Sequence, residues 1–288
     1  MPASVTGIQK MDKATACYID HEGSVERRFG IDPCQWTGER RLGAMRLPAW
    51  TTSTSGQGHG GVIAVLLDHV LGEEVFATGS AGQWSVTTEL SVAYLAPVPA
   101  IGTLLLAHAS LVTTDGRGGF ARGEVLTEAG QVIATGAVWA NHVPLSPEIE
   151  HRIGSARARG LVMPDDIAPP AAAVILGQLG AVASSTAVRA VLEVAHPDRW
   201  ANLFGTLHGG VWACLAHLVV GELLSARTTT PSTIASLSVH FLRPAPPASL
   251  VTLTAEYEHQ GRSFAVVTVR GTNDAGTTCI TATANIRR

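Results

Sequence analysis

Lysine is almost absent from this chain, since only Lys10 and Lys13 occur among 288 residues. The other cations are arginines, and 23 Asp and Glu residues outnumber 20 Lys and Arg residues, so no basic stripe is available to neutralise a phosphate backbone. Charged residues make up only 15% of the chain against 46% hydrophobic residues, a balance that argues against general disorder. We therefore expect a globular protein with no nucleic-acid partner.

Metal-binding and secretory signatures are also missing. The four cysteines show no CxxC spacing, so we expect reduced thiols, a cytoplasmic location and no metal site. The N-terminus lacks a basic start followed by an apolar run, and it therefore predicts no signal peptide. The longest uncharged stretch, 167–188, is interrupted by two prolines and three polar residues, which predicts a linker and a short docking helix. We expect no membrane association.

An internal repeat organises the chain. Four landmarks recur in the same order, which predicts two copies of one domain. We place these copies at 1–146 and 171–288 with a linker over 147–170, and we assign no role to residues 1–36. The landmarks are His-Gly-Gly at 59–61 and 208–210, ELSVAYLAP at 89–97 and SLSVHFLRP at 236–244, a Gly-Arg turn before a phenylalanine at 116–120 and 261–264, and EAGQVIATGAV from 128 and DAGTTCITATA from 274.

Each copy has the pattern of one strand, one long apolar helix and four further strands. The predicted helices, 62–77 and 211–226, are apolar on nearly every face, which is typical of a helix buried on most sides. The later runs are rich in Val, Thr and Leu and are punctuated by Gly and Pro, so they predict antiparallel strands. The pattern predicts an α+β fold in which a sheet curls around one helix. The predicted strands are 40–49, 86–95, 103–113, 120–127 and 131–139 in the first copy, and 186–195 begins the second.

The string HGGVIAVLLDHVLG from His59, followed by TTELSVAYLAPV from Thr87 and a Gly-Arg turn, resembles hotdog-fold acyl-CoA thioesterases of the phenylacetate-pathway type. The resemblance covers about 40–143 and 186–288. It implies two tandem hotdog domains that form an intrachain pseudo-dimer, with their sheets joined edge to edge. It also implies hydrolysis of an acyl-CoA, no cofactor beyond the coenzyme A of that substrate, and a homodimer or homotrimer of the fused chain.

Asp68 lies in the middle of the first apolar helix, where its helical neighbours supply no cation. A buried carboxylate of this kind is either functional or paired across the domain interface, and helix periodicity does not separate the two. In the family that the chain resembles, the acid nine positions after the histidine is the nucleophile or general base. The glycines of each His-Gly-Gly are expected at a helix N-terminus, where an unpaired N–H can bind an oxyanion.

The two copies have each lost half of the family's residue set, and the losses are complementary. His217 stands in the second copy where the first has its acid, and Ile234 stands where the first has a hydroxyl. The first copy, in turn, carries Ser53 where the second carries Asn202. The resemblance implies a site that spans two domains, and therefore one complete and one degenerate site. The complete site is expected to combine Asp68 and Thr87 with Asn202, His208 and Gly209, and the degenerate site to combine Ser53, His59 and Gly60 with His217 and Ile234.

The resemblance also implies a mechanism. Gly209 N–H polarises the thioester carbonyl, and Asp68 either attacks it or deprotonates a water held by Thr87. His208 either orients the substrate or has a structural role at the helix start. We expect the acyl group to be short, medium or aromatic, with Trp212 limiting its length, and arginines to bind the coenzyme A phosphates, although exposed arginines at strand ends are ordinary. The predicted binding residues are Gly210, Arg117, Arg243, Arg262 and Trp212.

Two other functions fit a hotdog scaffold. The first is a hydratase or dehydratase acting on an acyl thioester, but the Gly-Asp-x-Asn-Pro loop of such enzymes is missing. The second is a non-catalytic acyl-CoA-binding regulator, which a buried carboxylate beside the carbonyl site disfavours.

Overall fold

The computed structural model describes residues 24–52, 58–151, 175–226, 232–246 and 249–288. The predicted linker lies largely outside these ranges. In chain order the elements are α1 (Val25–Arg28), β1 (Gln35–Trp36), β2 (Arg41–Arg46), a 3-10 turn (Ala49–Thr51), α2 (Gly61–Phe76), β3 (Gln83–Tyr94), β4 (Leu104–Thr114), β5 (Gly118–Thr127), β6 (Val132–Pro144), α3 (Ile175–Leu179), β7 (Ala181–Ser185), β8 (Arg189–Val194), a second 3-10 turn (Pro197–Trp200), α4 (Gly209–Ser225), β9 (Thr233–Phe241), β10 (Val251–Gln260), β11 (Phe264–Asn273) and β12 (Thr278–Arg287).

The strands form one antiparallel sheet in the order β1-β2-β4-β5-β6-β3-β9-β12-β11-β10-β8-β7. The two halves join edge to edge where β3 pairs with β9. In this pair Ser91 lies opposite Ser238, its equivalent in the repeat, and the two hydroxyl oxygens are 2.9 Å apart. The residues on either side pair reciprocally, since Glu89 lies opposite His240 and Ala93 lies opposite Ser236, so a pseudo-twofold axis passes between the two serines. The predicted α+β fold, with two tandem domains joined edge to edge, is confirmed.

The two central helices, α2 and α4, pack against each other across this axis. An added Cβ on Gly61 would lie 2.9 Å from the carbonyl oxygen of Cys214, and one on Gly210 would lie 2.8 Å from the Cα of Val65. The last glycine of each His-Gly-Gly therefore allows the two helix backbones to approach closely. The sheet covers the remaining faces, which explains why both helices are apolar almost all round.

Three short elements were not predicted, namely α1 and β1 in the first half and β7 in the second, whereas α3 lies in the stretch 167–188, where a short docking helix was expected. Gly30 and Gly180, which follow α1 and α3, both have positive φ angles of 70° and 66°, so the two helices are equivalent. The ring of Phe29 packs between Trp50 and Trp200, with centroid distances of 4.9 and 5.5 Å. The segment before β1 therefore packs between the two halves. Within the described residues, no helix combines the length and apolar character that a membrane span needs.

Candidate active site

A cavity of about 570 Å³ lies between the two halves at the start of α4. The first half contributes α2 and β3 to its walls, and the second half contributes the loop before α4 and the end of β9. The structure brings to this cavity all five residues expected at the complete site, which are Asp68, Thr87, Asn202, His208 and Gly209.

Asp68 is the buried acid of this cavity, with only 7% of its surface exposed. Its Oδ1 accepts a hydrogen bond of 2.9 Å from the Thr87 hydroxyl, and its Oδ2 lies 3.6 Å from Nδ1 of His208. The Thr87 hydroxyl therefore orients the carboxylate directly. A hydrogen bond of this kind offsets part of the free energy that burial of a carboxylate costs.

The first turn of α4 faces this carboxylate. An added Cβ on Gly209 would lie 3.0 Å from Oδ2 of Asp68, and the Gly209 N–H has no hydrogen-bond partner among the described residues. An unpaired N–H at the positive end of a helix can stabilise a developing oxyanion. Gly210, which was also expected to contact substrate, does not line the cavity, because its N–H donates to Nδ1 of His208 and it packs against α2.

Asn202 shapes the loop before α4. Its Oδ1 accepts hydrogen bonds from the N–H groups of Phe204 and Thr206 at 3.0 and 3.2 Å, and from the Thr206 hydroxyl at 3.2 Å. The amide Nδ2 donates no hydrogen bond to the described residues, and the side chain lines the cavity. The amide can therefore donate to a ligand while its oxygen holds the loop.

Glu26, on α1, was missed by the sequence analysis. Its Oε1 accepts a hydrogen bond of 3.1 Å from Nε2 of His208, and it lies 3.8 Å from Nδ1 of His69. Burial raises the pKa of Glu26, but the hydrogen bond from His208 and the charges of both histidines lower it to about 2. Burial likewise lowers the pKa of His208, but the hydrogen bond and charge of Glu26 and the charge of Asp68 outweigh it and raise this pKa.

We expect Glu26→Gln to lower the free energy of unfolding by about 2 kcal/mol between about pH 5 and 6. Glu26 has a depressed pKa, so its contribution is present above the ordinary value of 4.5 and is lost as the pH falls toward 2. His208 has a raised pKa, so its contribution is full below 6.5 and is lost as the pH rises through the folded value. Urea unfolding measured as a function of pH should show the largest difference in the free energy of unfolding between Glu26→Gln and wild type at about pH 5 to 6. A difference that does not change with pH would contradict the ion pair.

Aromatic rings fill the equivalent position in the other half. The His217 ring lies 4.7 Å from His59 and 4.9 Å from Tyr94, measured between centroids. An added Cβ on Gly60 would lie 2.6 Å from Nε2 of His217, so this imidazole covers the glycine. Burial lowers the pKa of His59 to about 4, and burial together with the charge of His59 lowers that of His217 far below its ordinary value. Both rings are therefore neutral at physiological pH.

Two further members of the degenerate set complete this comparison. Ile234 is partly buried and packs against the core, whereas Ser53 lies outside the described residues. The histidine pair and Ile234 therefore bring no carboxylate to this crevice.

Only two of the four side chains predicted to bind substrate line the cavity. Arg243 and Trp212 line the cavity, with Arg243 exposed and Trp212 buried. Arg117 and Arg262 do not line it, and Arg117 instead forms an exposed ion pair of 2.6 Å with Asp115. A turn motif in the sequence predicts that an arginine is exposed, but it does not predict which cavity the side chain lies near.

Aromatic side chains line the apolar part of the cavity. The Trp84 ring lies 4.6 Å from Phe76 and 5.9 Å from Phe204, again between centroids. All three residues line the cavity, together with Glu73, whose side chain is buried. The cavity therefore combines a polar end near Asp68 with an aromatic wall.

Comparisons with known proteins show the family and the fold of this chain. The model of the thioesterase superfamily matches residues 56–134 and 204–280, one match in each half. No curated protein matches the chain.

Several solved structures share the fold over most of their length. The tesB protein of Mycobacterium avium subspecies paratuberculosis is similar with a TM-score of 0.61 and 14% identity, over 91% of this chain and 97% of that one. A protein from Alicyclobacillus acidocaldarius described as having a hot dog fold has a TM-score of 0.59 and 14% identity, over 88% and 94%. An acyl-ACP thioesterase from Bacteroides thetaiotaomicron has a TM-score of 0.55 and 11% identity, over 87% and 98%. These similarities show a tandem hotdog fold.

Proposed function

Because this chain belongs to the thioesterase superfamily, we propose that it hydrolyses an acyl-CoA to the free acid and coenzyme A at one composite site between its halves. The observation that carries the proposal is the contact between Asp68 of the first half and the start of α4 in the second. An added Cβ on Gly209 would lie 3.0 Å from the Asp68 carboxylate, inside a cavity that Asn202 also lines. This closeness of an acid to an unpaired N–H supports the binding of a carbonyl group between them.

The chemistry follows from these groups. The thioester oxygen accepts hydrogen bonds from Gly209 N–H and the amide of Asn202, so negative charge that develops on this oxygen is stabilised. Asp68, oriented by Thr87, takes a proton from water as the water oxygen bonds to the carbonyl carbon. The C–S bond then breaks, and the thiolate leaves and is protonated. In the alternative course Asp68 itself bonds to the carbonyl carbon and the C–S bond breaks to release the thiolate; water then hydrolyses the resulting anhydride, which frees the acid and restores the Asp68 carboxylate.

The substrate class is inferred from the walls of the cavity. Phe76, Trp84 and Phe204 form an aromatic wall, and buried Trp212 stands at the start of α4. These side chains suit an apolar acyl group of short to medium length or an aryl group. Exposed Arg243 at the rim suits the phosphates of coenzyme A.

The test is release of free thiol from acetyl-, hexanoyl-, decanoyl-, benzoyl- and phenylacetyl-CoA. We expect turnover of at least one ester, and the relative rates then rank the fit of the acyl group. Tight binding of an ester without thiol release would overturn the proposal and favour an acyl-CoA-binding regulator. Hydration of an enoyl-CoA without thiol release would overturn it in favour of a hydratase.

Arg243→Ala is expected to raise KM for the best acyl-CoA about tenfold, because a guanidinium–phosphate contact of this kind contributes about 1.4 kcal/mol. The N-acetylcysteamine thioester of the same acyl group carries no phosphate, and its KM should not change. Arg262→Ala is the matched control, since Arg262 does not line the cavity and its loss should leave both values unchanged. An equal rise of KM for both thioesters would show that Arg243 acts on the acyl end instead.

A further inference from the structure

We propose that Glu26 is a positioning residue of the composite site, which acts through His208 to fix the first turn of α4 and with it the direction of the Gly209 N–H. The inference rests on the proposed function. Glu26 does not line the cavity, so its effect on the reaction must pass through His208, which does.

Both nitrogens of the His208 ring are engaged. Nδ1 accepts a hydrogen bond of 3.0 Å from the Gly210 N–H, and Nε2 lies 3.1 Å from Oε1 of Glu26. Because a nitrogen that accepts carries no proton, the neutral ring is protonated on Nε2 and donates to Glu26. The carboxylate therefore selects the tautomer that caps the helix.

His208 controls the direction of this helix start with its side chain and its backbone. Its carbonyl accepts a hydrogen bond of 3.0 Å from the Trp212 N–H, while its ring holds the Gly210 N–H. Gly209 lies between these two anchored groups, so its N–H direction depends on the ring staying in place. Glu26 and His208 are 4% and 6% exposed, so bulk water does not replace a lost partner.

The other half carries the same cap without an acid. The ring of His59 accepts a hydrogen bond of 3.1 Å from the Gly61 N–H at the start of α2. The positions of α1 and α3 match through Gly30 and Gly180, which places Leu176 at the equivalent of Glu26. Helix capping alone therefore does not need a carboxylate.

Glu26 occurs at the one helix start that faces Asp68. A buried carboxylate hydrogen-bonded to a histidine is weak evidence for stability, because removing the charge from water costs about as much as the hydrogen bond returns. The placement of this pair is explained if the ring must be held more firmly at the reacting end of α4 than at the start of α2. This is the reason to assign Glu26 to the site and not to the fold.

The test is a double-mutant cycle of thiol release on the best acyl-CoA. Glu26→Ala is expected to lower kcat about 30-fold with KM nearly unchanged, since loss of alignment affects the reacting geometry more than binding. Glu26→Gln should retain kcat to within about threefold, because its amide oxygen still accepts from Nε2. In a His208→Asn background, the asparagine side-chain oxygen can cap the helix without Glu26. Glu26→Ala should therefore lower kcat by less than about twofold in this background.

Leu176→Ala is the matched control, and it should leave kcat unchanged. An equal loss from Glu26→Ala in both backgrounds, or an equal loss from Leu176→Ala, would overturn the inference in favour of general destabilisation. Thermal unfolding of each variant verifies that the folded state is assayed.

A second measurement separates this inference from the proposed function. In ¹⁵N-histidine NMR spectra recorded above the titration of His208, wild type and Glu26→Gln should show one tautomer protonated on Nε2, and Glu26→Ala a mixture. An unchanged tautomer in Glu26→Ala would overturn the inference whether or not the protein is active. Failure of the wild type to release thiol from any ester would overturn the proposed function alone.

Discussion

Asp68→Asn is expected to lower kcat for thiol release by about 1,000-fold or more. The amide keeps the volume of the carboxylate, but it can neither take a proton from water nor attack the thioester. Binding should survive, because the apolar walls and Arg243 are unaffected. The measurements are steady-state thiol release and titration calorimetry with a thioether analogue of the best acyl-CoA, whose Kd should stay within a few-fold of the wild-type value.

His217→Asn is the matched control for this substitution. His217 occupies the position of Asp68 in the other half, where its ring packs on His59 and Tyr94. Turnover per folded molecule should therefore stay close to wild type, even if the melting temperature falls. Comparable losses of kcat from the two substitutions would be incompatible with a single composite site.

Gly209→Ala is expected to lower kcat/KM by about 100-fold, an effect as large as loss of one oxyanion donor, because its methyl group hinders the approach of the substrate carbonyl to the N–H that alanine retains. The new methyl group would lie 3.0 Å from Oδ2 of Asp68, so the carboxylate must shift and the space between it and the start of α4 is reduced. Kinetic assays of the purified variant, with circular dichroism to verify folding, measure this loss.

Gly60→Ala provides a matched comparison at the start of α2. Its methyl group would lie 2.6 Å from Nε2 of His217, so it disturbs local packing at least as much as Gly209→Ala does. We expect lower stability with little change in kcat/KM per folded molecule. If both alanine variants lost activity equally, the glycines would serve helix packing alone, and Gly209 would have no place in the reaction.

The sequence predicted the architecture because its evidence is local and repeated. Apolar helices and alternating strands are patterns of neighbouring residues, and the second copy of each landmark repeats them; the two helices begin and end within two residues of the predicted bounds. The meeting of Asp68 with Gly209 was predictable because the two copies lack complementary residues and the resemblance supplies the geometry.

The parts that the sequence did not predict depend on contacts between distant segments. Glu26 lies 182 residues from His208, and the segment that carries it matches no landmark of the repeat. The signal that distinguishes Glu26 is that the equivalent position in the second half carries Leu176. These two positions can be matched only once the glycine turns after α1 and α3 are known. The position of Gly210 outside the cavity lining was not predictable for a similar reason, since only the packing of α4 on α2 shows that the backbone of Val65 lies against this glycine.

The pseudo-twofold axis between Ser91 and Ser238 has a consequence for how the two crevices can differ. In a dimer of identical chains, one substitution alters both crevices at once, because symmetry copies every change. Here each half has its own codons, so a carboxylate can be kept at one crevice while a histidine ring closes the other. The covalent link also makes assembly of the site a first-order event, and dilution therefore does not separate Asp68 from Gly209.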